Sequence, residues 1–330
     1  MSAPGPALPE PFLQRLRRIV PAERWEECVA SFSRGKPTAF RVNTLKAAVE
    51  EVVHRLRSSG FVVQPVGWLN EAFLVGAEQR QALVRSVEAE EGLIYIQNPS
   101  SMIPPLVLAP RPGQHVLDLA AAPGGKTIHI AGLMENRGKI AAVEPIRTRM
   151  YKLQTNLRRF GVTIARTYLT DGRTVGRKVP EQFDRVLLDA PCSSEARFRL
   201  DDLRSWAHWS LRKVRESARK QKGLLRAALA SLKPGGVLVY CTCSFAPEEN
   251  EQVIHDALEY FGQAVEVEVM DLGMGNVQPG LAGWEGRTYR PEVTRSVRLL
   301  PSHVMDGFFL CKLRKLASTR WLTRSGGRRR

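Results

Sequence analysis

From His115 to Leu313, short apolar runs alternate with longer stretches whose apolar residues recur at helical spacing. The runs His115–Ala120, Lys139–Glu144, Thr167–Thr170, Val186–Asp189, Val237–Cys243, Ala264–Met270 and Gly307–Leu313 read as strands. Lys126–Glu135, Arg147–Phe160, Leu211–Leu232 and Glu248–Phe261 read as the helices between them. This alternation predicts an α/β fold: a parallel sheet with right-handed crossovers and helices on both faces. Upstream, Phe12–Phe32 reads as short helices, Pro37–Lys46 as a strand, Ala48–Gly60 as a helix with a glycine stop, and Phe61–Val66 as a second strand. Glu91–Ser101 reads as a strand that runs into a helix over Met102–Leu108. The chain therefore divides into a small N-terminal helical and α/β appendage (1–90), the main domain (91–315) and a basic tail (316–330).

Strand ends at the carboxyl edge of such a sheet are where ligands bind. The fourth core strand ends in Asp189-Ala190-Pro191-Cys192-Ser193, the fifth in Tyr240-Cys241-Thr242-Cys243-Ser244. Lying side by side, they deliver Asp189, Cys192 and Cys243 to one rim. A carboxylate with two thiols suggests nucleophilic chemistry, although Cys243 by itself reads more simply as a buried strand residue. Cys241 and Cys243 are two apart, which is not metal-knuckle spacing, and His129, His208 and His255 are not grouped, so no metal is expected.

The loop after the first core strand, Ala120-Ala121-Ala122-Pro123-Gly124-Gly125-Lys126, combines small residues with a helix N-terminus. It is neither a P-loop nor a dinucleotide fingerprint. Glu144 ends the second strand, at the distance where an acid takes ribose hydroxyls. Asp171 closes the third and is suited to an adenine amino group; Arg149, on the second helix, completes the expected set. Unless these acids merely cap turns, they point to an adenosine-type ligand with little phosphate. S-adenosylmethionine is such a ligand.

Lys and Arg number 49 against 33 Asp and Glu, a net charge of +16. A polyanion is the expected partner, nucleic acid before an anionic membrane. No apolar run is long enough to span a bilayer, and five cysteines without framework spacing fit a reducing, intracellular compartment. The Leu211–Leu232 helix carries Arg212, Lys213, Arg215, Arg219, Lys220, Lys222 and Arg226 against Glu216, an RNA-facing pattern. Phe198, Trp206 and Trp209 are candidates for base stacking or for core. Arg41, Asn43 and Lys46 are candidates for phosphate contact or for a solvated strand face. Residues 1–10 and Ser325–Arg330 are expected to be mobile.

Leu119–Thr127, Asp189–Ser193 and Tyr240–Ser244 together resemble the RNA 5-methylcytosine methyltransferases of the NOL/NOP/Sun family. Phe40–Thr44, Ile96–Ser101, Asp171–Arg173 and Asp306–Phe309 extend the resemblance over about 38–315. Ala120 stands where the family usually has cysteine, and Cys241 where it usually has serine. The resemblance implies a Rossmann-like class I S-adenosylmethionine-dependent methyltransferase fold. It implies that Cys243 attacks carbon 6 of cytosine, that Asp189 stabilises charge near N3, and that Cys192 assists release. Lys126 would fix Asp189 or the base. The substrate expected is rRNA rather than tRNA, with a monomeric enzyme and a partner protein as a candidate source of RNA specificity. The compartment expected is cytoplasmic, or nucleolar or mitochondrial in a eukaryote. Two other readings are a DNA cytosine-C5 methyltransferase using Cys192 and a catalytically idle RNA-binding assembly factor.

Overall fold

The computed structural model describes residues 7–33 and 35–320. The expected mobile ends at 1–6 and Ser325–Arg330 lie outside the described residues. Residues 7–10 do not behave as expected: Leu8 is buried and Glu10 opens a helix.

The core strands form where the apolar runs stand: β1 (His115–Asp118), β2 (Lys139–Glu144), β3 (Ala165–Leu169), β4 (Phe183–Asp189), β5 (Leu232–Thr242), β6 (Val265–Glu268) and β7 (Phe308–Lys315). Their order is β3-β2-β1-β4-β5-β7, with β6 beside β7. Val186, Leu187 and Leu188 are fully buried. A central strand covered on both faces needs a continuous apolar run, not an alternating one. β1 to β5 are parallel, as expected. The expectation of a wholly parallel sheet fails at β7, which is antiparallel to both β5 and β6. No helical crossover separates β6 from β7. The connection instead adds Val277–Pro279 and Val297–Leu299 to the same sheet as an antiparallel ladder.

The N-terminal sheet runs Gln64–Pro65, Ala72–Val75, Thr38–Val42, Ile94–Ile96, with every pair antiparallel. Phe40, Val42, Phe73 and Ile94 pack there against Val52, Val53 and Leu56 of helix Val49–Ser58. The expected Phe61–Val66 strand shrinks to Gln64–Pro65. Ile94–Ile96, assigned from sequence to the main domain, is the edge of this sheet, with Phe40 opposite Ile96. The first helix, Glu10–Arg17, goes the other way. Phe12 and Leu16 join the core of the main domain, Phe12 lying 4.9 Å from Phe198.

Neither candidate role of Arg41 and Asn43, phosphate contact or a solvated strand face, holds. Arg41 and Asn43 are buried. Asn43 Nδ2 donates to the carbonyls of Gly92 (2.9 Å) and Phe160 (3.0 Å), and Lys46 Nζ to those of Glu91 and Arg159. These side chains tie the N-terminal sheet to the main domain. Among the described residues no helix is long and apolar enough to cross a membrane, and no cluster of metal-ligating side chains occurs.

Arg298 forms a buried bidentate pair with Glu251 (2.6 and 2.5 Å) and also donates to the carbonyl of Phe245 at 2.9 Å. Removing one partner leaves a buried charge uncompensated. Glu251→Ala is therefore expected to cost about 3–5 kcal/mol in urea unfolding; a loss below about 1 kcal/mol would show that the pair does not hold this junction.

Candidate active site at the strand ends

β4 and β5 are parallel and in register, Asp189 opposite Cys241. The chain segments beyond them therefore leave the sheet together. Ala190 N donates to the carbonyl of Cys241 (2.9 Å) and Ala196 N to that of Cys243 (3.1 Å), which keeps the two loops side by side. Ser194 adopts a left-handed conformation (φ 60°) and turns the first loop back over the second. The result brings Cys192 Sγ to 3.4 Å from Cys243 Sγ, with Ser194 Oγ 3.7 Å from the latter.

The two thiols are driven apart in acidity. The hydrogen bond from Cys192 lowers Cys243 to about 6, helped by the Arg197 guanidinium and Ser194 and opposed by burial. The same hydrogen bond, together with burial, raises Cys192 well above an ordinary thiol. The contact and the Arg197 guanidinium favour negative charge on Cys243, and the same contact disfavours it on Cys192. Cys241, on the same strand, is held up by burial and by Asp189, so it stays protonated.

Asp189 accepts from Lys126 Nζ at 2.6 Å. Lys126 is buried and not a solvent-facing first-turn lysine. Burial works against its charge, but the Asp189 carboxylate outweighs this and holds the ammonium above its usual range. Beneath it, buried Asp118 accepts from Thr127 Oγ1 at 2.7 Å, and burial pushes its carboxyl up to about 6.

A buried carboxyl pair fixes the loops from below. Glu249 accepts from Ser193 N (2.9 Å), Ser244 Oγ (2.6 Å) and Gln221 Nε2 (3.3 Å). Gln221 also donates to the carbonyl of Pro191 at 3.0 Å. Glu195 accepts from Phe245 N (2.9 Å), Trp209 Nε1 (2.8 Å) and Ser244 Oγ (3.1 Å). Burial and the neighbouring Glu195 push Glu249 up to about 7. Arg197, Glu195 and Glu249 belong to no local motif, and sequence reading passed over them. The only available signal was Arg197's place just after Cys192.

A cavity of about 570 Å3 opens at this edge, lined by Ala120, Ala122, Pro123, Glu144, Arg149, Asp171 and Asp189 of the expected cofactor set and by both thiols. Glu144 is fully buried. One oxygen accepts from Ile146 N at 3.0 Å; the other has no hydrogen-bond partner, with Arg149 at 3.5 Å. Asp171 lines the same space, but both of its oxygens engage Arg173. An adjoining cavity of about 290 Å3 is lined by Ala121, Gly125, Lys126, Tyr95, Asp189 and Arg197. A Cβ at Gly125 would come within 2.6 Å of Tyr95, so this approach requires glycine. Gly124 lines neither cavity; it turns the chain at φ 111° and packs towards Leu153.

Of the two roles open to these aromatic residues, Phe198 takes the core one, and Trp206 and Trp209 are half-buried. Phe198 is buried against Phe12, and the Trp209 indole is committed to Glu195; Trp206 packs half-buried on Phe198. The basic helix, Leu211–Ser231, is only partly free. Lys222 pairs with Asp256 (2.6 Å), Arg212 with Glu216 (3.0 Å), and Arg226 lies over Tyr260. His129 is a core histidine 3.7 Å from Glu71.

If Cys243 is the acidic thiol, its alkylation by iodoacetamide should rise with pH to half-maximum near 6. In Cys192→Ala the hydrogen bond is lost and the midpoint should move up by more than one pH unit, read by peptide mass spectrometry. A midpoint near that of an ordinary thiol in the unmodified protein would contradict the assignment.

Residues 105–314 match the family model for the 16S rRNA methyltransferase RsmB/F, and residues 8–99 that for the N-terminal domain of 16S rRNA methyltransferase RsmF. Ribosomal RNA small subunit methyltransferase F of Vibrio atlanticus is 40% identical over 94% of this chain, and that of Pectobacterium carotovorum 36% over 97%. The chain spans 64% and 65% of those proteins' lengths. Among solved structures, a methyltransferase homolog protein from Pyrococcus horikoshii is 36% identical with a TM-score of 0.77, covering 94% of this chain and 100% of that one. The protein PH0851 is 31% identical with a TM-score of 0.82, covering 95% and 70%. The fold is that of the class I methyltransferases, and the chain belongs to the RsmB/F family of 16S rRNA methyltransferases.

Proposed function

We propose that this chain is an S-adenosylmethionine-dependent RNA cytosine-C5 methyltransferase that acts on small-subunit ribosomal RNA. The observation that carries the reading is the pair of thiols 3.4 Å apart that lines one cavity with Asp189 and Glu144. The names of the family and of its relatives support the same substrate.

The donor set fits the cofactor. Glu144 presents a buried carboxylate oxygen without a hydrogen-bond partner at the cavity wall, which a ribose hydroxyl would satisfy. Arg149, held by the carbonyl of Ala122 at 2.8 Å, closes that end, and the small residues Ala120 and Ala122 leave room for the ligand. Bound there, the cofactor supplies a methyl group on a cationic sulfur.

Carbon 5 of cytosine is a weak nucleophile. Addition of the Cys243 thiolate to carbon 6 turns the ring into an enamine whose carbon 5 carries nucleophilic density. The negative charge that builds up on the N3 and O2 side meets Lys126, held to Asp189, and Arg197, both facing the smaller cavity. Addition also makes Cys243 a neutral thioether. The hydrogen bond and charge from Cys243 that help to hold Cys192 up are then gone, though burial remains; once Cys192 has given its own proton to solvent, its thiolate takes the proton from carbon 5 as the electron pair of that bond expels Cys243 as a thiolate. Loss of that proton and cleavage of the Cys243–carbon 6 bond free the product.

Two outcomes follow from this scheme. Glu144→Ala should weaken S-adenosylmethionine binding by about 1–3 kcal/mol in calorimetry, because ribose hydroxyls lose their acceptor; unchanged affinity would remove the ribose from this wall. Cys243→Ala should bind cofactor and RNA yet form neither adduct nor product. Cys192→Ala should accumulate a methylated protein–RNA adduct that survives denaturing electrophoresis. The reverse pattern would assign the nucleophile to Cys192 and favour the DNA-type route.

A further inference from the structure

Beside Arg197 a third cavity, of about 330 Å3, separates the N-terminal unit from the main domain. Lys36 and Arg80 line one side, Arg197 and Arg199 the other. Gln97 and Asn98 line both this cleft and the smaller cavity at Asp189 and Lys126, so the two spaces adjoin. Arg197 lines all three cavities and marks their junction.

The charges in the cleft are unevenly matched. Lys36 Nζ is held by Asp306 (2.6 Å) and by the carbonyl of Met305 (2.9 Å), and Arg199 engages Asp201 at 2.6 Å. Arg80 and Arg197 have no carboxylate within ion-pair distance among the described residues. Asp306, taken up by Lys36, is the one carboxylate among the lining residues; the rest include the hydrogen-bonding Thr38, Gln97 and Asn98 and the apolar Ile96. Phe198, the only aromatic side chain there, is buried and turned into the core. Such a space recognises a sugar–phosphate by charge and does not offer a face for stacking a base.

We propose that this cleft holds the nucleotide next to the target cytosine, its phosphate taken by Arg80 and its neighbours across the cleft. The proposal rests on the RNA cytosine reading above and adds to it where the strand runs. The path crosses the seam between the N-terminal sheet and the main domain. On the Leu211–Ser231 helix Lys222, Arg212 and Arg226 already have partners, which leaves Lys213, Arg215, Arg219 and Lys220 for phosphates elsewhere along the strand. Contact through phosphate makes the site tolerant of the neighbouring base.

Arg80 is exposed, so reversing its charge leaves the fold intact. The test measures affinity of the whole chain for a short single-stranded RNA with one cytosine, by fluorescence anisotropy across a salt series. Arg80→Glu is expected to lower affinity roughly tenfold and to reduce the salt slope by about one. Affinity for S-adenosylmethionine and the single-turnover rate at saturating RNA should not change. Arg85→Glu, an equal reversal at an exposed residue that does not line the cleft, should leave affinity within about twofold. Equal losses from the two reversals, or none from Arg80→Glu, would overturn the cleft while leaving the proposed activity standing. Failure of the unmodified protein to bind or methylate any RNA would overturn both.

Discussion

One carboxyl group touches both loops that carry a thiol. Glu249 accepts from the backbone and hydroxyl of Ser193, next to Cys192, and from the hydroxyl of Ser244, next to Cys243. Through Gln221 it also reaches the carbonyl of Pro191. These groups lie out of water, so an unmade hydrogen bond would cost about 1–3 kcal/mol each. Two separate strand ends are thereby held as one rigid piece, and the 3.4 Å sulfur–sulfur distance depends on it. Ser193 and Ser244 bring only one hydroxyl hydrogen each to the contacts among themselves, Glu249 and Glu195. Two hydrogens cannot fill these four contacts, so the set favours protonation of the carboxyl pair, in keeping with the upward push on both acids.

Held at that distance, identical side chains acquire different chemistry. Cys243 gains a hydrogen-bond donor and a guanidinium and becomes the more acidic sulfur; Cys192 gives the hydrogen bond and becomes the less acidic. The proposed catalytic cycle uses this polarity twice, for attack and then for release, because the attack itself removes the charge that distinguishes the pair. Lys126 and Asp189 form a second polar pair in the adjoining cavity. Arg197 lines the cavities of both pairs, which makes it the link between thiolate formation and the charge that develops on the base.

Much of this could be read from the chain. β1, β2, β4 and β5 are apolar runs buried on both faces, and their ends carry the residues whose types announce the chemistry. What escaped was information about pairing. Ala72–Val75 is only four residues long, an apolar run between Asn70 and Gly76 that does not by itself tell which strand it joins. Ile94–Ile96 has the same local pattern whichever sheet it joins, and only its partner Phe40 decides. The first half of β7, Phe308–Cys311, is as apolar as a parallel strand, and its direction follows from a connection without an α-helix. Glu195 and Glu249 look like ordinary acids until the fold buries them together. On the basic helix, counting charge does not reveal that Asp256 waits on the neighbouring helix for Lys222.

The central claim is that Cys243, and not Cys192, bonds to the pyrimidine. Incubating the unmodified protein and S-adenosylmethionine with RNA carrying 5-fluorocytosine blocks loss of the carbon 5 substituent and traps whichever cysteine has added. Digestion and peptide mass spectrometry then locate the modified residue. The account predicts a methylated fluoropyrimidine on the peptide containing Cys243. The same mass on the peptide containing Cys192, or methylated RNA with no trapped protein, would contradict it.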